Sequence, residues 1–219
     1  GDGPVRDVPP PGEKLSASIH YLQKEGPQST IIIGFLAPEK KSDDFYPFTL
    51  LDFIVGSGGF RSRIFSEIRS NLGLAYSAGS YYEGRTGYGV FGSYAITKSD
   101  ATGRVFARLQ EILKDVTRRR VGEEELLWAK RSIVNSFIFS FSSTDMIATQ
   151  QMMIEFLGLP PGYLRDYRGR IEAVPPEDLL RVAVRYLRGD RATVLIVGDE
   201  KNFDRPLSSF GDVRKIEAK

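Results

Sequence analysis

Apolar positions alternate with polar ones over SASIHYL (residues 16–22), and a denser apolar run follows in TIIIGFL (30–36). The KEGPQ between them is turn material, so the pair reads as a hairpin or two neighbouring strands. From Asp43 the period lengthens. Phe45, Phe48, Leu51, Ile54 and Val55 recur at helical spacing, with Pro47 tolerated in a first turn. Asp52 falls inside this run and is expected on its solvated side. The glycines of VGSGGF (55–60) end that helix. A second helix is predicted through Arg61, Ile64, Phe65 and Ile68, capped near Asn71–Gly73. LAYSAGSYY (74–82) and TGYGVFGSYAI (86–96) then form an antiparallel pair, with Tyr88, Val90, Gly92, Tyr94 and Ile96 on one face. Gly79, Gly87, Gly89 and Gly92 weaken strands, so they mark a close approach by a helix or another backbone.

The second half is mainly helical. Val105, Phe106, Leu109, Ile112, Leu113 and Val116 recur every three or four residues, and Arg118–Arg120 close that helix as a solvated, dipole-favoured end. Glu123–Glu125 open another helix of about 20 residues, ~30 Å long, reaching Phe141. Ser142–Asp145 cap the next helix, which stops at GLPPGY (158–163). Two shorter helices follow, over 163–174 and from Pro175-Pro176-Glu177-Asp178. ATVLIV (192–197) is a last strand, and 201–219 is a polar tail. The sum is an α+β domain: a mixed, mainly antiparallel sheet with helices over a face. Residues 1–14 read as a linker or domain-boundary segment. Residues 15–200 show no internal linker or short repeat.

Composition narrows the chemistry. Of 219 residues, 41% are hydrophobic, enough for a core, and the net charge of +2 gives no reason to expect nucleic acid. Cysteine is absent, which excludes disulfides and thiolate ligands or nucleophiles within the chain. No apolar run approaches the roughly 18–20 residues that cross a bilayer. A soluble chain is expected, with bacterial cytoplasm and periplasm both open. GDGPVRDVPPPGEK is no signal peptide; it suggests a chain cut from something longer or following another domain.

His20 is the sole histidine and lies in a predicted strand, where a hydrogen-bonded, partly exposed role is expected. Zinc hydrolysis needs imidazole or carboxylate ligands, an open position for water and a nearby general base. One imidazole and no H-x-x-E-H stretch do not supply that set. The Gly56–Gly59 turn also fails as a phosphate loop. No strand feeds it, and its spacing is not G-x-x-x-x-G-K-[ST].

The most informative segment is VGSGGFRSRIFSEIRSNLGLAYS (55–77). A Gly-rich turn, S-R-I-F, S-E-I-R and G-L-A-Y follow one another, with Tyr76 seven positions beyond Arg69. This pattern resembles the M16 metallopeptidase family, related to pitrilysin, insulin-degrading enzyme and mitochondrial processing peptidase. The likeness continues in Glu125-Leu126 with Ala129-Lys130, in Tyr167–Ile171 followed by AVPPEDLLRVAVRYL, and in TVLIVGD (193–199). The resemblance implies a LuxS/MPP-like metallohydrolase domain of the C-terminal, non-zinc type. It implies no cofactor in this chain and zinc on a partner domain or subunit. Arg69 and Tyr76 match the arginine and tyrosine that such a domain contributes to the cleft, where a guanidinium and a phenol hydroxyl can donate to a developing oxyanion.

Taken without the resemblance, Arg69 is expected to pair with Glu67, Glu83 or another acid, and Tyr76 to pack between sheet and helix. The family further implies a peptide substrate held as an added strand, near residues 74–96 here. Tyr81, Tyr82, Tyr88 and Tyr94 are candidates for the chamber wall, or for an aromatic sheet core. Apolar surface meant for the missing half would favour self-association of isolated copies. A structural or peptide-binding role without catalysis is the alternative function.

Overall fold

The computed structural model describes residues 16–217. The expected linker, residues 1–14, lies outside the described residues. Six strands form one sheet: β1 (Ser18–Gln23), β2 (Gln28–Ala37), β3 (Ala75–Gly84), β4 (Gly89–Lys98), β5 (Thr193–Gly198) and β6 (Val213–Ile216). Their spatial order is β3-β4-β2-β5-β1-β6. The β3–β4, β4–β2 and β2–β5 pairs are antiparallel; β5–β1 and β1–β6 are parallel. The sheet is therefore mixed and mostly antiparallel.

Two sequence expectations change here. β1 and β2 are not partners, because β5 inserts between them, with Tyr21 beside Ile196 and Ile196 beside Ile31. The polar tail is structured over its described part, residues 201–217. It returns to lay β6 against β1, with Leu207 fully buried and Phe210 packed on Phe106 at 4.7 Å. Few apolar residues mark this segment, and the edge of a sheet needs few.

The helices are α1 (Phe45–Asp52), α2 (Thr102–Val116), α3 (Glu123–Ser136), α4 (Thr144–Leu157), α5 (Tyr163–Ala173) and α6 (Pro176–Tyr186). The helix opened by Glu123–Glu125 is shorter than expected: from Phe137 to Phe141 the chain tightens into a 3₁₀ turn. α4 starts as its sequence predicts, the Ser143 hydroxyl accepting from the Met146 amide at 3.2 Å.

One sheet face carries Ile19, Tyr21, Ile31, Ile33, Phe35, Phe91, Ala95, Val194 and Ile196, all buried in the same core as α1, α2 and α6 residues. The other face, with His20, Leu22, Ile32, Tyr94 and Leu195, is only half-buried. A second core joins α1 to α3, α5 and α6 through Leu50, Ile54, Leu126, Ile133, Ile171 and Leu179. α6 is also tied to the start of α1 by charge. Buried Asp44 accepts from Arg181, Arg185 and the Tyr186 hydroxyl at 2.5–2.9 Å.

Candidate functional site

The segment between α1 and β3 carries Arg69 and leads to Tyr76 at the start of β3, and both of its ends are anchored. Asp52, expected in solvent, is buried at 7% exposure. Its carboxylate accepts from the Ser80 hydroxyl of β3 at 2.6 Å. Burial pushes the Asp52 carboxyl up to about 6, with the Ser80 and Ser57 hydroxyls opposing the shift. The far end is held by the Leu74 amide donating to Ile68 O at 3.0 Å and by Thr97 Oγ1 donating to Leu74 O.

Between these anchors the chain departs from α-helix twice. Phe53–Ser57 and Phe65–Asn71 are π-helical, where an α-helix was expected across Ile64–Ile68. Such wide turns are rare and recur at functional sites. The first one carries Gly56, where a Cβ would stand 2.3 Å from the Ser80 amide nitrogen, so glycine lets this turn pack directly on β3. Ser62 then closes the glycine turn, its hydroxyl donating to Gly59 O at 2.7 Å. Arg63 fixes the loop laterally through a two-pronged pair with Glu125 at 2.9 and 2.7 Å, reinforced by Asp115 at 3.3 Å.

Arg69 lies on the second π-turn and is exposed. The acid partners open to it are engaged elsewhere: Glu67 holds Arg108 at 2.8 Å and Glu83 holds Arg85 at 2.8 Å. Among the described residues Arg69 has no ion pair. Its guanidinium instead lies over Phe65, Cζ 4.7 Å from the ring centroid, and Phe60 packs edge-on against Phe65 at 4.8 Å. Tyr76 is 77% exposed at the start of β3, beside a bulge between Ala75 and Ser77. It does not pack between sheet and helix. No hydrogen bond joins Arg69 to Tyr76 in the described residues.

The other tyrosines do not share one wall. Tyr82 is in the core against Phe48 at 4.7 Å and donates to Pro38 O at 2.8 Å. Tyr88 falls outside β4, in the turn before it, beside Arg85. Tyr81 covers Gly92 and Tyr94 covers Gly79 on the half-buried face. Phe60 and Phe65 were not singled out as site residues. The i,i+4 relation of Phe65 to Arg69 was the available signal. Phe60 had none, because it reaches Phe65 only through the glycine turn.

His20 sits in β1 with Nε2 3.2 Å from the Ser18 hydroxyl. Among the described residues no group of three histidine, cysteine, aspartate or glutamate side chains is placed to hold a metal ion. The donors present do not fit zinc. The structure is thus a mixed sheet with helices over one face, and its described residues bring together no zinc site.

The comparisons with known proteins agree. The family model described as the peptidase M16 inactive domain matches residues 1–133, and the chain belongs to this family. A Rickettsia felis protein described as an uncharacterized zinc protease is 30% identical over 74% of this chain and 36% of its own length. A Streptomyces coelicolor protein of the same description is 24% identical over 86% of this chain and 41% of its own. The crystal structure of a peptidase M16 inactive domain from Pseudomonas fluorescens superposes with a TM-score of 0.82 at 23% identity, covering 90% of this chain and 47% of that one. The chain thus spans well under half the length of these curated relatives.

Proposed function

We propose that this domain is the non-zinc half of a zinc-dependent endopeptidase and that Arg69 and Tyr76 complete its site. The metal, its ligands and the general base belong to a partner domain or subunit, and a peptide is the substrate. One observation carries the reading most: Arg69 and Tyr76 are both solvent-facing, Arg69 without an ion pair among the described residues on a segment anchored at both ends, and Tyr76 at the start of the strand that follows it. Tyr76 is not buried by packing, and Arg69 holds no acid among the described residues. The Tyr76 hydroxyl is suited to donate to the oxyanion that forms at the scissile carbonyl, and the Arg69 guanidinium to the same oxygen or the neighbouring backbone. Among the described residues β3 lies at a sheet edge and pairs with β4 alone, which leaves backbone groups for an extended peptide.

The test is reconstitution with the zinc-bearing half. The chain alone is expected to hold no stoichiometric zinc and to cleave nothing. In the assembled enzyme, Arg69→Ala and Tyr76→Phe should each lower kcat/KM by about 10²–10³, the cost of losing an oxyanion donor. Full activity in both variants would remove the assigned roles. Peptide affinity without turnover in the complete assembly would favour the structural or peptide-binding alternative.

A further inference from the structure

α4 carries two apolar stripes and packs only one of them. Ile154 and Leu157 are buried with Leu159, against Tyr163 and Leu164. On an adjoining side Met146, Thr149, Met153 and Phe156 recur at i, i+3, i+7 and i+10, the spacing of a single helical stripe, with Met152 beside Phe156. All five are exposed, Phe156 at 80%. Phe139, 70% exposed in the preceding 3₁₀ turn, extends the stripe. The Ser142 hydroxyl links them, 2.9 Å from Phe139 O and 3.1 Å from Met146 Sδ. The three methionines of the chain all lie on α4. From Ser132 to Leu164 only Asp145 and Glu155 are charged, in a chain that is 26% charged overall. Depletion of charge with enrichment in methionine and aromatic rings is the composition of an interface core. A helix that is apolar around most of its circumference is normally covered on more than one side.

We propose that α4 is a two-fold interface, on which the same stripe of a second copy of this chain packs antiparallel. Area favours that occupant. Phe139, Met146, Met152, Met153 and Phe156 together present roughly 600 Å² per copy, so two stripes bury about 1,200 Å², the lower bound for a specific, stable interface. Charge agrees with it. A register that sets Met146 against the second copy's Phe156, and Thr149 against its Met153, lays sulfur on an aromatic ring and opposes neither Asp145 nor Glu155 to an acid. A lipid surface fits less well, because an interfacial helix carries Lys or Arg on its polar face and α4 has neither. The stripe uses neither Arg69 nor Tyr76, so this pairing stands apart from the peptidase reading.

Sedimentation of the full chain over a concentration series should show a monomer–dimer equilibrium. Phe156→Glu and Met153→Glu change exposed side chains, should leave the melting temperature in place, and should each weaken the dimer about tenfold or more by placing an unpaired charge in it. Val184→Glu, at an exposed apolar position on α6, should leave the dimer unchanged. Cysteine is absent, so a spin label on Gln151→Cys, beside the stripe, reports one site per copy. The labels should couple across the dimer, and Phe156→Glu should remove the coupling. The proposal is overturned by a chain that stays monomeric at high concentration, by a dimer that both glutamate variants leave intact, or by a dimer without coupling between labels. A monomer whose Phe156→Glu variant instead loses binding to neutral lipid vesicles, or to the zinc-bearing half, also overturns it and assigns the stripe to that partner. If a glutamate variant does not fold, the label measurement decides.

Discussion

The Arg69 guanidinium lies over the Phe65 ring, Cζ 4.7 Å from its centroid, one helical turn away on the same π-helical segment. Phe60 braces the other partner of this stack from outside the turn. The cation is therefore oriented without being neutralised, as the role proposed for it requires. Replacing Phe65 by Leu keeps an apolar side chain but removes both ring contacts. The variant should lose about 0.5–1 kcal/mol of stability. In the reconstituted enzyme it should lower kcat/KM less than Arg69→Ala does, and paired melting and kinetic measurements would check both. An activity loss equal to that of Arg69→Ala would mean that Phe65 does more than orient the cation.

Asp52 gives the fold a pH signature. Its carboxyl is raised by burial from 3.8 to about 6, so between those values the folded chain holds more protons than the unfolded one. Stability from this group therefore falls as pH rises through that window and is level above it. The size is on the order of 2–3 kcal/mol. Asp52→Asn keeps an acceptor for Ser80 and cannot ionise. Denaturation curves across the window should lose this slope in the variant, with stability at neutral pH unchanged or higher.

Asp44 has the opposite sign. Burial pushes its carboxyl up, but hydrogen bonds from Arg181 and Tyr186 and the charges of Arg181 and Arg185 outweigh that and hold it below the ordinary range. Its contribution is present above about pH 4, the unfolded value, and is lost as pH falls through the lower folded one. Asp44→Ala should cost about 2 kcal/mol, moderated because the arginines are half-exposed and screened. Hydrogen exchange should show α6 loosening first.

Glycine substitutions separate rigid from yielding contacts. Gly56→Ala drives a Cβ to 2.3 Å from the Ser80 backbone, which β-pairing holds in place. It should cost about 3 kcal/mol and disturb the Arg69 segment. Gly92→Ala meets the Tyr81 ring at 2.5 Å, but that ring is 48% exposed and can swing outward. It should cost about 1 kcal/mol or less. Equal losses in thermal melts would show that Tyr81 is fixed.

Local periodicity settled much of this chain. The starts of α3, α4 and α6, the β3–β4 pair and the closing strand β5 each follow from a cap, an alternation or a proline within a few residues. Family membership was also legible, because the 55–77 segment preserves residue types and spacing that need no third dimension to recognise. Tertiary structure decided the rest. β5 separates β1 from β2 because parallel pairing depends on where a distant segment returns. The first π-turn carries Gly56, whose close approach to the Ser80 backbone no local propensity encodes. A charged residue defaults to solvent in any sequence reading, so the burial of Asp52 appeared only with its Ser80 partner, 28 positions on. Likewise, the residues alone offered Arg69 several acids. Packing gave Glu67 to Arg108 and Glu83 to Arg85, and left the guanidinium on an aromatic face.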